Sequence, residues 1–350
     1  MKKLSLALLM TAVLCGCGGS GISYTVKVAA PDEVTDLQLL STDREVLATS
    51  TFDADTDLFI LKGKVEAPAM AILADADENP LTVIFIEEGE IEVAFDDMTG
   101  DFALSGTPAN DNLAPARERL AAIEDKLYES EDMTEEEQEA VLEEYKAAVA
   151  DIIDENNDNI LGVYFFANAL SATLEPAEVR ERIAAVPKEL RELPMLKKLY
   201  DAAAASLAVE TGNKFVDFTA IDTSGEEVKL SSLVGKGKWV LVDFWATWCG
   251  PCRKELPYLK AAYEKYGDKG LVILGVSVDN DADAWRAFVE NNEMTWINVI
   301  DVDEDKRASA ADLYGITVIP TNFLISPDGR IEAKNLRGDG VEERLSEIFE

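Results

Sequence analysis

Histidine does not occur in this chain, and cysteine occurs only four times, at positions 15, 17, 249 and 252. Together these shortages exclude a structural zinc site. Such a site takes four ligands, normally Cys and His, and two of the four cysteines fall within the first seventeen residues. Basic residues are also sparse, 32 Lys and Arg against 68 Asp and Glu, for a formal net charge of −36. Nucleic-acid binding, which needs basic patches, is thereby disfavoured, and surface solvation accounts for the acidity. Long apolar runs are missing as well: beyond the first residues, no stretch reads as a membrane-spanning helix.

The amino terminus has the form of a secretory signal. Lys2 and Lys3 precede an apolar run over 4–14 that is too short to cross a bilayer. Leu14-Cys15-Gly16-Cys17 resembles a bacterial lipobox, with a small residue before the cysteine that would be cleaved and acylated. Cys17 fits that place better than Cys15, which follows Leu14 directly. The resemblance implies a signal peptide over 1–16 and a lipidated tether over 17–21, rich in glycine and serine. A soluble secreted protein with two stray cysteines is the alternative, set against the liability of free thiols in an oxidising compartment. With Cys17 consumed by lipid, one usable cysteine pair remains, and an exported protein that keeps a single pair uses it for chemistry.

At 350 residues the chain has room for two or three domains. Residues 22–108 read as short strands with turns between them, at 24–29, 36–40, 58–65, 69–74, 81–87, 91–95 and 101–104. Ile91, Val93 and Phe95 alternate with acidic residues, and Glu88-Gly89 reads as a tight hairpin. An antiparallel β-sandwich is expected. Residues 109–211 change to helical periodicity, with a capping box formed by Thr134 and Glu137 and helices at 160–172, 176–185 and 195–208. From 212 the texture alternates between strand and helix, which predicts a mixed sheet covered by helices on both faces.

Within that last part, Trp239 to Phe244 is apolar except for Asp243, as in a strand buried on both faces. Leu256, Leu259 and Ala262 then follow at helical spacing, so Cys249 and Cys252 sit on the turn that opens a helix. Unpaired N–H groups and a partial positive charge at that turn favour a thiolate on Cys249. Two intervening residues let the sulfur of Cys252 reach it. Pro251 suits an early helical position, where its missing N–H had no partner. A disulfide across so small a loop would stabilise little, so the pair reads as a dithiol that cycles. Asp243 in an apolar strand is expected to have a raised pKa from desolvation, which suits a proton carrier; the alternative is a strand-end carboxylate reaching solvent.

The segment 240–257, centred on Trp248-Cys249-Gly250-Pro251-Cys252, resembles the active-site stretch of the thioredoxin superfamily, and of its TlpA/ResA-like membrane-tethered branch in particular. The resemblance implies an α/β thioredoxin fold over 212–350 with an extra amino-terminal hairpin. It also implies that Cys249 attacks, Cys252 resolves, Asp243 is the buried carboxylate behind them and Pro257 kinks the active-site helix. Ile319-Pro320-Thr321 resembles the cis-proline loop that faces the cysteines. Together with Trp248, Gly250 and Pro251, Ile319 and Pro320 would then meet the substrate. The lysine that neighbours the buried carboxylate in thioredoxins has no counterpart, as Gly275-Val276-Ser277 stands in its place. The all-β part resembles the small domain of unknown function at the head of many such lipoproteins.

The expected function is that of a periplasmic thiol-disulfide oxidoreductase, lipid-anchored to a bacterial membrane, the outer membrane by preference. It would act on disulfide-bearing proteins, be re-reduced by a membrane thiol donor, and use no metal or cofactor beyond its own disulfide. Gly250-Pro251 matches thioredoxins, with potentials near about −270 mV, and so implies a reductant. Two other readings stand beside it. One is a peroxiredoxin-like peroxidase, although Ala246 and Val242 occupy the places of that family's threonine and proline. The other is a binding or scaffold lipoprotein with an accessory redox module.

Overall fold

The computed structural model describes residues 21–31, 34–128, 133–301 and 309–350. The signal and the lipidation site at Cys17 therefore lie outside the described residues. The chain divides into two compact units, one over residues up to 169 with 187–193, the other over 170–186 with 194–350.

The first unit opens with β1 (Ile22–Ala29), β2 (Leu37–Ser41), β3 (Val46–Thr49), β4 (Thr51–Asp53), β5 (Leu58–Val65), β6 (Ala69–Asp75), β7 (Pro80–Ile86), β8 (Gly89–Phe95) and β9 (Phe102–Ser105). They form two sheets, ordered β4-β5-β1-β8-β9 and β3-β2-β6-β7. One buried cluster draws on both, with Val26 and Val28 of β1, Leu37 and Leu39 of β2, Leu73 of β6 and Ile91 of β8.

Two expectations are corrected here. The pairing is not wholly antiparallel, because β1 and β8 run parallel, Val26 opposite Ile91. A parallel pair needs a long crossover, and here the intervening strands supply it. Nor does Glu88-Gly89 close a hairpin: β7 and β8 belong to different sheets, so this turn carries the chain from one to the other. Alternation reveals which face of a strand is buried but not which strand lies beside it. Strands β3 and β4 escape the sequence pattern because they are short edge strands without a buried residue.

The helices α1 (Pro108–Tyr128), α2 (Glu135–Glu155), α3 (Ile160–Phe165) and the short α5 (Lys188–Arg191) belong to this unit, while α4 (Pro176–Ala185) belongs to the other. Thr134 and Glu137 form the expected capping box on α2. The helix expected over 160–172 instead passes from α3 into a π-helical turn, Phe166–Leu170, and a 3₁₀ turn, Ser171–Thr173.

The second unit adds α6 (Pro194–Ala208), β10 (Thr219–Asp222), β11 (Glu227–Lys229), β12 (Trp239–Trp245), α7 (Gly250–Tyr266), β13 (Leu271–Ser277), α8 (Ala282–Asn291), β14 (Ile297–Ile300), α9 (Ala310–Leu313), β15 (Thr321–Ile325), β16 (Ile331–Lys334) and α10 (Asp339–Phe349). Residues 302–308 lie outside the described set, and the helix ahead of β15 is described as α9. The sheet order is β11-β10-β14-β13-β12-β15-β16. Strand β12 runs parallel to β13 and antiparallel to β15, which makes it central and explains its unbroken hydrophobicity. Its side chains alternate between two cores: Leu241 and Trp245 face one, Val240, Val242 and Phe244 the other.

Helix α6 is built into this unit. A Cβ on Gly315, whose φ is +61°, would stand 2.3 Å from the Ala202 carbonyl oxygen and 2.6 Å from the Ser206 nitrogen. Only glycine permits so close an approach at that backbone angle. Val209, just past the helix, is fully buried in the second core.

Candidate redox active site

Helix α7 starts at Gly250, with Cys249 itself as the N-cap. The N–H of Cys252 donates to Cys249 Sγ at 3.1 Å, which satisfies one of the orphan donors of the first turn. Pro251 stands within that turn. Pro257 stands inside the helix, where its missing N–H leaves the Arg253 carbonyl without the usual partner. The two sulfurs are joined in a disulfide with their Cα atoms 5.3 Å apart.

Cys249 and Cys252 are both 5% exposed. What is open is the rim. Trp248, directly before Cys249, is 70% exposed, as is Val318 at the start of the facing loop. The peptide bond between Ile319 and Pro320 is cis, and the Ile319 carbonyl oxygen lies 3.8 Å from Cys249 Sγ. The fold thus brings Trp248, Cys249, Cys252, Ile319 and Pro320 to one place, with Gly250 and Pro251 exposed between the cysteines.

Asp243 is buried in the centre of β12, not at a solvent-facing strand end. Burial pushes its carboxyl up to about 7; the Arg337 guanidinium pulls it down, the Glu255 carboxylate raises it, and the Asn322 amide lowers it. Its register partner on β13 is Gly275. A Cβ there would meet Asn298 Oδ1 at 2.8 Å and the indole nitrogens of Trp245 and Trp296 at 3.2 Å each. No lysine fits at that position, and the cation beside the buried carboxylate arrives from Arg337 instead.

Sequence reasoning passed over three residues of this site. Arg337 and Glu255 are two of them. The third is Asp279, buried just past β13, which accepts from the Thr247 N–H at 2.9 Å and the Thr247 hydroxyl at 2.7 Å. Asp279 therefore anchors the loop that carries Trp248 and Cys249. A carboxylate two positions after the buried strand 271–277 was the available signal. Among the described residues no cluster of His, Cys, Asp or Glu is suited to hold a metal ion, and no helix is long and apolar enough to cross a membrane.

A family model described as the AhpC/TSA family matches residues 211–334. The thiol-disulfide oxidoreductase ResA of Bacillus thuringiensis subsp. konkukian is 34% identical over 141 residues, 40% of this chain and 78% of that protein. ResA of Oceanobacillus iheyensis is 41% identical over 105 residues, 30% of this chain and 52% of the relative. Among solved structures, the thioredoxin domain of a thiol-disulfide oxidoreductase from Bacteroides vulgatus is similar at 37% identity, covering 40% of this chain and 99% of that domain with a TM-score of 0.38.

Proposed function

Because this chain belongs to the ResA-like thiol-disulfide oxidoreductases, with an AhpC/TSA thioredoxin-like domain, we propose that it reduces disulfides in exported proteins through Cys249 and Cys252. The observation that supports this most directly is the bonded cysteine pair at the start of α7, opposite the cis Ile319-Pro320 loop. In the reduced protein the Cys249 thiolate attacks one substrate sulfur, forming a mixed disulfide and releasing the other substrate sulfur as a thiolate. The Cys252 thiol, deprotonated towards Asp243, then attacks Cys249. The Cys249–Cys252 bond forms, the second substrate thiolate leaves, and two electrons have passed to the substrate. A membrane-bound thiol donor returns them.

Trp248, Gly250, Pro251, Ile319 and Pro320 are the surface against which an extended substrate lies, with backbone groups of the cis-proline loop available to it. Equilibration with glutathione is the direct test: a reductant titrates near about −270 mV, whereas a value near about −120 mV would make the protein an oxidant. The AhpC/TSA match brings a peroxidase to mind, yet Ala246 and Val242 stand where that chemistry needs threonine and proline. Hydrogen peroxide consumption should accordingly stay at the level of an uncatalysed thiol.

The anchor belongs to the same reading. Acylation at Cys17, after a signal over 1–16, would hold the protein on the periplasmic side of a bacterial membrane, the outer one by preference, with 17–21 as tether. A multiply acylated cysteine binds firmly where a single chain does not. Cys17→Ser should move the protein to the soluble fraction or leave its signal uncleaved. Membrane fractionation of a normally processed Cys17→Ser protein would remove the anchor from the proposal. The region 22–108 is proposed as a β-sandwich head and 109–211 as a helical connection to the catalytic module, 212–350.

A further inference from the structure

The loop after β16 reaches three parts of the active site through consecutive residues. Leu336 grips the side chain of Asn322 at both ends: its N–H donates to Oδ1 at 2.9 Å, and Nδ2 donates to its carbonyl at 2.8 Å. Asn322 is the cross-strand partner of Asp243, so this grip sets the next residue, Arg337, beside the buried carboxylate. Arg337 Nη2 donates to the carbonyl of Pro320, and Nη1 donates to its neighbour's carbonyl at 2.9 Å. Gly338 then donates its N–H to Glu255 Oε2 on α7 at 2.8 Å.

We propose that Arg337 is a positioning residue: one guanidinium holds the Pro320 carbonyl of the substrate-facing loop and supplies the positive charge beside Asp243. The proposal rests on the oxidoreductase reading given above. A guanidinium suits the place because it stays charged at any relevant pH and presents several donors in a fixed fork. The charged groups that act on Asp243 are Arg337, from the loop after β16, and Glu255, from α7; Asn322 on β15 is neutral. The two charges oppose each other, and deleting the positive one leaves the carboxylate harder to ionise. A single side chain thus acts on both Asp243 and the cis-proline loop, and no spacing near the cysteines reveals it.

The test compares Arg337→Gln with Arg337→Lys in the full-length protein, with Arg337→Met as a second neutral variant should the glutamine protein not fold. The pH midpoint of the resolving step, read by stopped flow, should rise in the neutral variants by about one unit, which for a carboxyl at about 7 is about a fivefold slowing at pH 7. Arg337→Lys should restore it. Carbon-13 NMR titration of Asp243 in the oxidised protein should show the same upward move with no turnover involved. A wild-type midpoint in the neutral variants, or a lysine variant displaced as far as they are, would overturn the role of Arg337. If instead the NMR titration moves while Cys252→Ser traps no substrate, the substrate reading fails and the assignment of Arg337 stands.

Discussion

Replacing Cys252 by serine should convert a turnover catalyst into a trap. Cys249 is the N-cap of α7 and receives the N–H of Cys252 on its sulfur, so helix-start donors and dipole stabilise its thiolate. In Cys252→Ser that sulfur still attacks a substrate disulfide, and nothing remains to resolve the product. A mixed disulfide should accumulate on non-reducing gels, whereas Cys249→Ser should retain almost none. Burial does not create this difference, since both sulfurs are equally covered in the disulfide form. Equal trapping by the two variants would reverse or abolish the assignment of attacker and resolver.

Asp243→Asn should make the protein more stable in mild alkali and change little in acid. The wild-type carboxyl is raised from 3.8 to about 7 in the fold, so between those values the folded state binds a proton that the unfolded state has lost. Stability linked to Asp243 is therefore fully present below about pH 4 and falls as pH rises through 7. A displacement of about three units corresponds to something on the order of 4 kcal/mol. Asparagine carries no such penalty. Denaturant midpoints at pH 4 and pH 8 give the comparison, and an Asn variant that loses stability at pH 8 would contradict it. The same variant should attack substrate at the wild-type rate yet resolve the mixed disulfide slowly, because only the second step draws on the base.

The centre of this site was readable because its residues are close in sequence and of unmistakable type. Strand β12 is a continuous apolar run interrupted by one carboxylate, the two cysteines straddle Gly250-Pro251, and Ile319-Pro320 precedes another apolar strand. Arg337 was not readable: it lies more than eighty residues after Cys252, in a loop, and its role depends on which strand lies beside β12. The same limit hid the parallel pairing of β1 with β8, since periodicity fixes the buried face and leaves the neighbour open. Strands β3 and β4 were lost for another reason: they are four and three residues long and none of their residues is fully buried, so they leave little hydrophobic trace. The burial of Cys249 was not readable either, since its cover comes from Ile319, seventy residues further along the chain.

The contact at Gly315 limits where this enzyme can be cut. The glycine introduces the segment that runs to Ile319-Pro320, and it lies hard against Ala202 and Ser206 of α6, ahead of the point where resemblance to thioredoxins begins. Glu210 adds an ion pair to Lys334 at 2.8 Å, so α6 and the residues after it brace the sheet edge as well as the approach to the cis-proline loop. A shortened protein that begins at residue 212 discards this buttress and bares the apolar surface around Val209. A fragment that begins at residue 212 should therefore melt at a lower temperature than one that begins ahead of Pro194.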